Sequence, residues 1–300
     1  MLNYTIAPSK LINYHNQTIA SFLSSTDSNV DLATISSFGR EWNSFHNFDE
    51  IEIERIGNEY FDIVNQTHIN KNSCVLDVGC GSGRWSGYIS SKVAFVEGID
   101  PSDAIYRAVD NTSQLKNVRI TQAGVDLIPF EDCSFDFVFS LGVLHHIPDT
   151  LKAMQQCVKK LKPGGYFLVY LYYNFENKGW LFKCTFKLIN VIRIVVSKFP
   201  FFIKKNVCDF IALVVYLPLS LLSKIVKKMF KNRFYQKIPL SYYCDKSFYV
   251  MRNDALDRFG TPLEQRFSKI EIQEMMEKAG LRSIVFSGNT PYWHAIGQKY

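Results

Sequence analysis

Residues 75–84 read VLDVGCGSGR. A short apolar strand and an acid lead into three glycines at alternate positions, Gly79, Gly81 and Gly83, directly in front of a stretch that reads as helix. Glycine turns at positive φ without steric cost, so this string encodes a sharp strand-to-helix turn. It exposes backbone amides where any Cβ would obstruct a ligand. The helix that follows points its positive end at the same spot. A dinucleotide fingerprint would need its last glycine at position 84, where Arg84 stands, and it asks for no acid two residues before the first glycine. Asp77 occupies that place. A carboxylate at the strand tip, facing glycine amides, suits a ligand that carries an ammonium group and disfavours one that presents a pyrophosphate.

The segments that follow keep the spacing of a doubly wound α/β fold. Residues 85–92 read as helix and 93–100 (VAFVEGID) as a second apolar strand ending in Asp100, where such folds hold a carboxylate against two ribose hydroxyls. The same acid can also cap the helix that begins near Ser102. A third strand is expected at 118–122, a fourth at 135–140 running into LGVLHHIPD, and a fifth at 165–172 after the turn LKPGG. Strands and helices alternating at this interval imply a parallel sheet with helices on both faces.

The strings VLDVGCGSG, VEGIDPSD, IPFEDCSFDFVFSLGVLHHIPD and LKPGGYFLVYLYY together cover about residues 74–173. As a set they resemble class I S-adenosylmethionine-dependent methyltransferases of the small-molecule, type 11-like kind. The resemblance implies an α/β fold: a doubly wound, Rossmann-like seven-stranded sheet whose last strand is antiparallel, here with a helical insertion. It also implies S-adenosyl-L-methionine as the methyl donor. Residue by residue, Asp77, Gly79 and Gly81 would hold the methionine part, Asp100 the ribose, and Leu141 and Gly142 the cofactor's other side. Cys80, Gly83, Pro101, Val125 and Asp126 complete the expected cofactor set. Many relatives have an acid two residues before the position of Asp126; here that place is Gly124, so the adenine contact falls to the Val125 backbone or to Asp126.

The methyl group of a sulfonium is already activated, so a protein of this kind aligns a nucleophile and excludes water. A hydroxyl acceptor needs a base as well. His146 and His145, just past the fourth strand, are the catalytic candidates, and each reads equally well as a helix cap or as packing on the sheet. Tyr172, Tyr173, Tyr242, Tyr243 and His294 are further polar aromatics that could enter a pocket. LGVLHH stands where nucleobase N-methylating enzymes carry an Asn-Pro-Pro-Tyr-like motif. That disfavours nucleobase N-methylation in particular and leaves other macromolecular acceptors open, while the resemblance implies an oxygen or nitrogen of a small molecule, with sugars, lipid-linked glycan precursors or quinone-like lipids as the expected classes. The competing readings are a non-catalytic cofactor-binding scaffold and an NAD-dependent dehydrogenase, the latter opposed by Arg84 and Asp77.

At the C-terminal end, Ser268 with Glu271 forms a capping box, Ile270, Ile272, Met275, Met276 and Ala279 recur at helical spacing, and Gly280 stops the helix. Two closing strands are expected at 284–288 and 292–297. Residues 1–37 read as a polar arm. Phe38, Trp42, Phe45 and Phe48 then precede a helix with Ile51, Ile56, Tyr60, Phe61 and Val64 on one face. That segment would either cover the cofactor or pack on the sheet.

Residues 178–233 are the unusual part. They hold twelve basic residues against one acid, Asp209, although the whole chain of 300 residues is only +6. The division expected is an arm at 1–37, a cofactor-binding core at 38–177, a basic amphipathic helical insertion at 178–240 and the rest of the core at 241–300. The apolar stretch 210–222 is interrupted by Pro218 and falls short of the ~18 residues that span a bilayer, so no crossing is expected. Two readings stay open for the insertion: a lid with its apolar faces buried and its lysines in solvent, or an element lying on an anionic membrane surface. Nucleic acid is not an expected partner, because the apolar runs are too long for a phosphate track. Seven cysteines without a C-x-x-C pair or zinc-like spacing to histidine read as free thiols in a reducing compartment, with no metal expected. The first residues lack a basic segment followed by an apolar run, so the expected location is cytoplasmic, peripheral at the inner face of the membrane.

Overall fold

The computed structural model describes residues 2–15, 17–24, 29–44, 49–176, 179–230, 233–289, 291 and 293–300. Phe45, Phe48, Lys178, Lys231 and Tyr292, singled out from sequence, lie outside the described residues, as do the side chains of Lys183 and Arg233. The chain divides into two compact units. One comprises residues Met1–His46, Ile53–Glu176 and Leu263–Tyr300, the other Asn47–Glu52 and Asn177–Pro262. Residues 241–262, expected with the core, thus group with the insertion.

In the first unit the elements run β1 (Lys10–Tyr14), β2 (Gln17–Ser21), α1 (Leu32–Ser44), α2 (Glu50–Tyr60, whose start belongs to the second unit), β3 (Cys74–Val78), α3 (Arg84–Ser90), β4 (Phe95–Asp100), α4 (Ala104–Thr112), β5 (Val118–Gln122), β6 (Phe135–Leu141), α5 (Thr150–Lys160) and β7 (Leu161–Tyr170). After the second unit come α10 (Lys269–Lys278), β8 (Leu281–Phe286) and β9 (His294–Lys299). Among the described residues nine strands form one sheet in the order β1-β2-β5-β4-β3-β6-β7-β9-β8. β5, β4, β3, β6 and β7 are parallel, and β9 lies antiparallel between β7 and β8.

The sheet direction reverses between β3 and β6. The chain leaves β3 toward β4 and β5, then returns to place β6 on the other side of β3. Loops leaving the ends of β3 and β6 diverge at this switch point and open the crevice where such sheets bind ligands. These strands are buried on both faces, so they read as nearly continuous apolar runs instead of alternating ones. Phe135, Phe137, Val138 and Phe139 of β6 are all fully buried. One core cluster joins Leu76, Val78 and Val138 to Met154 and Val158 of α5 and to Ile272 and Met276 of α10.

Two expectations needed correction here. The sheet has nine strands, not seven, and the extra pair comes from the segment expected to be a polar arm. β1 and β2 form an antiparallel hairpin that joins the sheet edge where Ser21 pairs with Gln122 of β5. A few well-placed contacts suffice to order it. Ile19 and Phe22 are buried, Tyr4 packs on Phe22 and Phe130, and the Tyr4 hydroxyl bonds Thr121 at 2.8 Å. Arg119, paired with the buried Glu97, also donates to the Leu2 carbonyl at 2.7 Å. The Lys162–Gly165 turn expected ahead of the fifth strand is present as a bulge, since Leu161 pairs with Phe135 and the next pairing is Tyr166 with Phe137. At the other end the capping box of Ser268 and Glu271 opens α10, and Gly280, at φ +92°, ends it.

The second unit is helical: α6 (Trp180–Ser197), α7 (Phe201–Ile211), a π-helical turn at Ala212–Tyr216, α8 (Leu217–Phe230) and α9 (Phe248–Gly260). Pro218 was expected to interrupt this stretch. Instead α7, the π turn and α8 run on as one helix. Residues Phe201–Met229 span 29 residues and contain an 18-residue stretch with a mean hydropathy of 1.8, long and apolar enough by length and composition to cross a membrane. Proline offers no N–H to the carbonyl four residues back and its ring crowds that carbonyl. A π turn widens the backbone ring just upstream and accommodates both.

Candidate functional site

The glycine turn leaves β3 with Gly79, Gly81 and Gly83 at φ +78°, +54° and +75°, a region that costs any other residue energy. Gly79 and Cys80 donate their amides to the Ile99 carbonyl at 2.8 and 3.0 Å, which ties the turn to the end of β4. Space is the second reason for glycine. A Cβ at Gly79 would lie 2.5 Å from the Val143 methyls, one at Gly81 would lie 3.0 Å from Trp42 Nε1, and one at Gly83 would lie 3.1 Å from Ala108 Cα. The side chain of Cys80 points away from the turn into a cluster with Ile19, Ile105, Ala108, Val109 and Ile120. Burial pushes its thiol well above the usual range, so what Cys80 offers a ligand is backbone.

Two carboxylates close on this turn. Asp77, at the end of β3, is buried and accepts from Ser86 Oγ at 2.6 Å. Burial, reinforced by the negative charge of Asp100, raises its pKa to about 7 despite the Ser86 bond. Asp100, at the end of β4, accepts from the Gly81 amide at 3.0 Å through one oxygen and from the Ser102 amide and hydroxyl at 2.8 and 2.6 Å through the other. Its pKa is also raised by burial. Three donors leave capacity on a carboxylate with about four acceptor positions. Asp100 therefore anchors the turn after β4 and keeps room for a ligand hydroxyl. Pro101 follows it and passes its carbonyl to Gln122 Nε2 at 3.4 Å.

Asp126 Oδ2 accepts from the Asn29 amide at 2.8 Å, and the Asn29 side chain in turn bonds both the carbonyl and the amide of Asp149. One such bond leaves acceptor capacity on the carboxylate, so the Val125 backbone and Asp126 both stand as adenine candidates. Leu141 ends β6, and Gly142 follows at φ +78° with its amide on the Tyr170 carbonyl at 3.1 Å. A Cβ on Gly142 would rest in ordinary van der Waals contact with the Tyr170 ring at 3.8 Å, so it is the positive φ and not lack of room that favours glycine there.

His145 and His146 are buried in a short 3-10 turn after β6. His145 stacks on Tyr172 with ring centroids 3.9 Å apart. His146 Nδ1 lies 2.6 Å from the Leu263 carbonyl, and its ring meets Phe38 edge-on. A carbonyl only accepts, so Nδ1 carries the proton and Nε2 the lone pair. Around them Tyr60, Trp85 and Tyr170 form a continuous aromatic wall, with Tyr60 5.4 Å from Trp85 and 5.1 Å from Tyr170. His294 adjoins this group, its ring 6.4 Å from Tyr60 and its backbone paired with Tyr170, while its two nitrogens lie 2.7 Å from the Pro291 carbonyl and from Asp62. Tyr173 packs on Phe175 and Trp293, while Tyr242 and Tyr243 belong to the second unit. Among the described residues no group of three or more His, Cys, Asp and Glu is placed to hold a metal.

Ser86 and Val143 carried no legible signal in the sequence. The expected capping role of Asp100 near Ser102 is present as bonds from the Ser102 amide and hydroxyl, as in an Asx-turn. Trp42 was placed in the right region, yet its position against Gly81, under the guanidinium of Arg84 at 4.7 Å, needed the structure.

These residues suit S-adenosylmethionine better than a dinucleotide. The turn is held at its positive φ values by close packing on Val143, Trp42 and Ala108, and the two buried carboxylates beside it favour a cationic ligand. A family model described as a methyltransferase domain matches residues 76–169. The chain is 39% identical over 99 residues to a tRNA U34 carboxymethyltransferase of Pseudoalteromonas translucida, covering 32% of this chain and 30% of that protein. It is 34% identical over 107 residues to a demethylmenaquinone methyltransferase of Staphylococcus aureus, covering 34% and 44%. The chain thus spans less than half the length of these curated relatives. Among solved structures, a SAM-dependent methyltransferase from Aquifex aeolicus aligns over 84% of this chain and 98% of its own, with a TM-score of 0.44 and 17% identity. By its matched segment, sheet order and glycine turn, the chain carries a class I S-adenosylmethionine-dependent methyltransferase domain.

Proposed function

We propose that the chain transfers a methyl group from S-adenosylmethionine to an oxygen or nitrogen of a small molecule, with sugars, lipid-linked glycan precursors and quinone-like lipids as the acceptor classes. The observation that carries the reading is the pair of buried carboxylates, Asp77 and Asp100, closing on a turn of glycine amides. In the chain alone, burial keeps the proton on Asp77 up to a pKa of about 7, even with the charge of Arg84 acting against it. An ammonium group beside it would favour the ionised form and turn this burial cost into attraction. A pyrophosphate there would meet two negative charges.

When bound, the cofactor supplies an activated methyl group on a sulfonium centre. The chain's own residues do the rest. Asp77, at the mouth of the glycine turn, fixes the methionine end, Asp100 the ribose, and the Val125 backbone or Asp126 the adenine. Tyr60, Trp85, Tyr170 and Tyr172 line the crevice with aromatic surface that keeps water from the nucleophile. His146, with its proton held on Nδ1 by the Leu263 carbonyl, offers Nε2 as the acceptor of a hydroxyl proton, and His145 positions the adjoining aromatic stack. The name of the Staphylococcus aureus relative supports the quinone class among the acceptors.

Calorimetric titration with S-adenosylmethionine and S-adenosylhomocysteine, with NAD as control, tests the cofactor. Micromolar binding of the first two and none of NAD is expected; the reverse pattern would replace the reading with a dehydrogenase. Acceptor panels then test catalysis. Cofactor binding with no turnover on any class would leave a binding protein.

A further inference from the structure

In the second unit the ordinary amphipathic arrangement is inverted. α6 and α7 pack on α9, and the inward side of the α7–α8 helix is polar or small. Lys204, Cys208, Ala212, Tyr216, Ser220 and Ser223 are buried there, at an almost unbroken spacing of four. Specific bonds hold this side to α9. Lys204 Nζ donates to the Gly260 carbonyl at 2.8 Å, Arg252 clasps Asp209 with two bonds of 2.8 and 2.7 Å, and the Tyr216 hydroxyl donates to Asp254 at 2.9 Å.

The large apolar side chains point the other way. Phe202 is 77% exposed, Phe210 62%, Leu213 51%, Leu221 50%, Ile225 55% and Met229 67%. α6 repeats the pattern: Arg193 reaches inward to the Thr261 carbonyl at 3.0 Å, while Ile189, Val191, Ile192 and Val195 are exposed. This is the opposite of a lid with apolar faces buried and lysines alone in solvent. Contiguous apolar surface on this scale marks an interaction site.

We propose that the outward face of α6–α8 inserts in the plane of one leaflet of an anionic lipid bilayer. Charge selects the partner. Lys198 stands exposed ahead of α7, and Lys224 and Lys228 stand exposed on α8. Asp209, the one acid of residues 178–233, is turned inward onto Arg252. Two copies meeting through this face would bring cations against cations, whereas anionic headgroups neutralise them. A perpendicular crossing is disfavoured although the helix is long enough. It would carry Lys204, Asp209 and the Arg252, Asp254 and Arg258 of α9 into hydrocarbon, where each charge is costly. Lying flat, the helix buries only its apolar side and leaves α9 in water. Bilayer binding needs neither cofactor nor acceptor, so its failure and that of the methyl-transfer reading are separable.

The test is flotation of the purified full chain with phosphatidylcholine vesicles, with and without phosphatidylserine. Flotation with the anionic vesicles, weakened by salt, is expected. Leu213→Gln with Leu221→Gln should lower partitioning by about tenfold or more while leaving the unfolding temperature unchanged, since both side chains are exposed. Lys224→Glu with Lys228→Glu should remove the preference for phosphatidylserine. Spin labels at positions 202, 210, 221 and 229 should report one common depth. A graded depth would mean a crossing helix and would overturn the in-plane geometry. Failure of the wild-type chain to float with either vesicle would overturn the proposal, as would flotation indifferent to the Leu213 and Leu221 substitutions. So would a dimer in light scattering without lipid that the same substitutions dissolve, because a second copy would then cover the face.

Discussion

β6 and the α7–α8 helix are both rich in phenylalanine, leucine and valine, but they use these residues in opposite ways. Every large apolar side chain of β6 is turned into protein, whereas Phe202, Phe210 and Leu213 are turned out and the polar side chains hold the structure together. Hydrophobic content alone does not say which surroundings a segment was built for; the position of its polar groups does. In the first unit the buried carboxylates Asp77 and Asp100 sit at strand ends beside the glycine turn. In the second, charged groups tie one helix to another and free the apolar side for something other than the chain itself.

Substituting equivalent residues in the two regions gives the largest expected contrast. Phe139→Ala, which empties a fully buried position beside Phe61, should cost about 3–5 kcal/mol in urea unfolding. Phe210→Ala should cost no more than about 0.5 kcal/mol. Equal costs would mean that the α7–α8 face is covered by protein, and the comparison would break. Next in size is Gly79→Ala, which forces a side chain into positive φ and against Val143. About 3 kcal/mol is expected, with cofactor binding lost and part of the stability recovered by adding Val143→Ala.

The two regions should also respond to pH in opposite directions. Asp77 has a folded pKa raised to about 7 from an ordinary 3.8, so the unfolded chain ionises first and stability falls as pH rises from about 4 to about 7. Burial works against the charge of Asp209 as well, but the Arg252 and Lys205 contacts prevail and hold its pKa below the ordinary value. Its contribution is present above about pH 4 and fades as pH falls through the folded value. Asp77→Asn should therefore raise apo stability at pH 8, by on the order of 2 kcal/mol, and change little at pH 4. The same variant should lose the decline in cofactor affinity expected below pH 7. Thermal unfolding at the two pH values and titration calorimetry read both effects. A smaller effect tests whether the N-terminal segment belongs to the first unit's core: Asn29→Ala, which removes two bonds to the Asp149 backbone, should cost about 1 kcal/mol.

Most of the first unit was legible because its signals are local. The glycine spacing, the acid at the end of β4 and the capping box of α10 each declare themselves within a few residues, and the structure adds mainly partners such as Ser86 and Val143. What was not legible depended on distance. β1 and β2 gain their order from Arg119, Thr121 and Gln122, about a hundred residues away, and no periodicity in a polar segment announces that. The bond from Asn29 to Asp126 likewise joins residues 97 apart. In the second unit, amphipathicity was readable but its sense was not. A stripe pattern is the same whether its apolar side faces protein or lipid, and only the bonds from α9 to Lys204, Asp209 and Tyr216 distinguish the two.

The π turn at Ala212–Tyr216 has a further consequence that is one of phase. Residues spaced by four on an ideal α-helix drift about 40° per step, so the buried series from Lys204 to Ser220 would wind nearly halfway round the axis and off α9. The wider turn takes back part of that rotation. It keeps both halves of the helix in register with a single partner across Pro218. Removing one residue inside the turn would rotate everything downstream by about 100°, leaving composition, charge and helix length almost unchanged while dividing one apolar face into two.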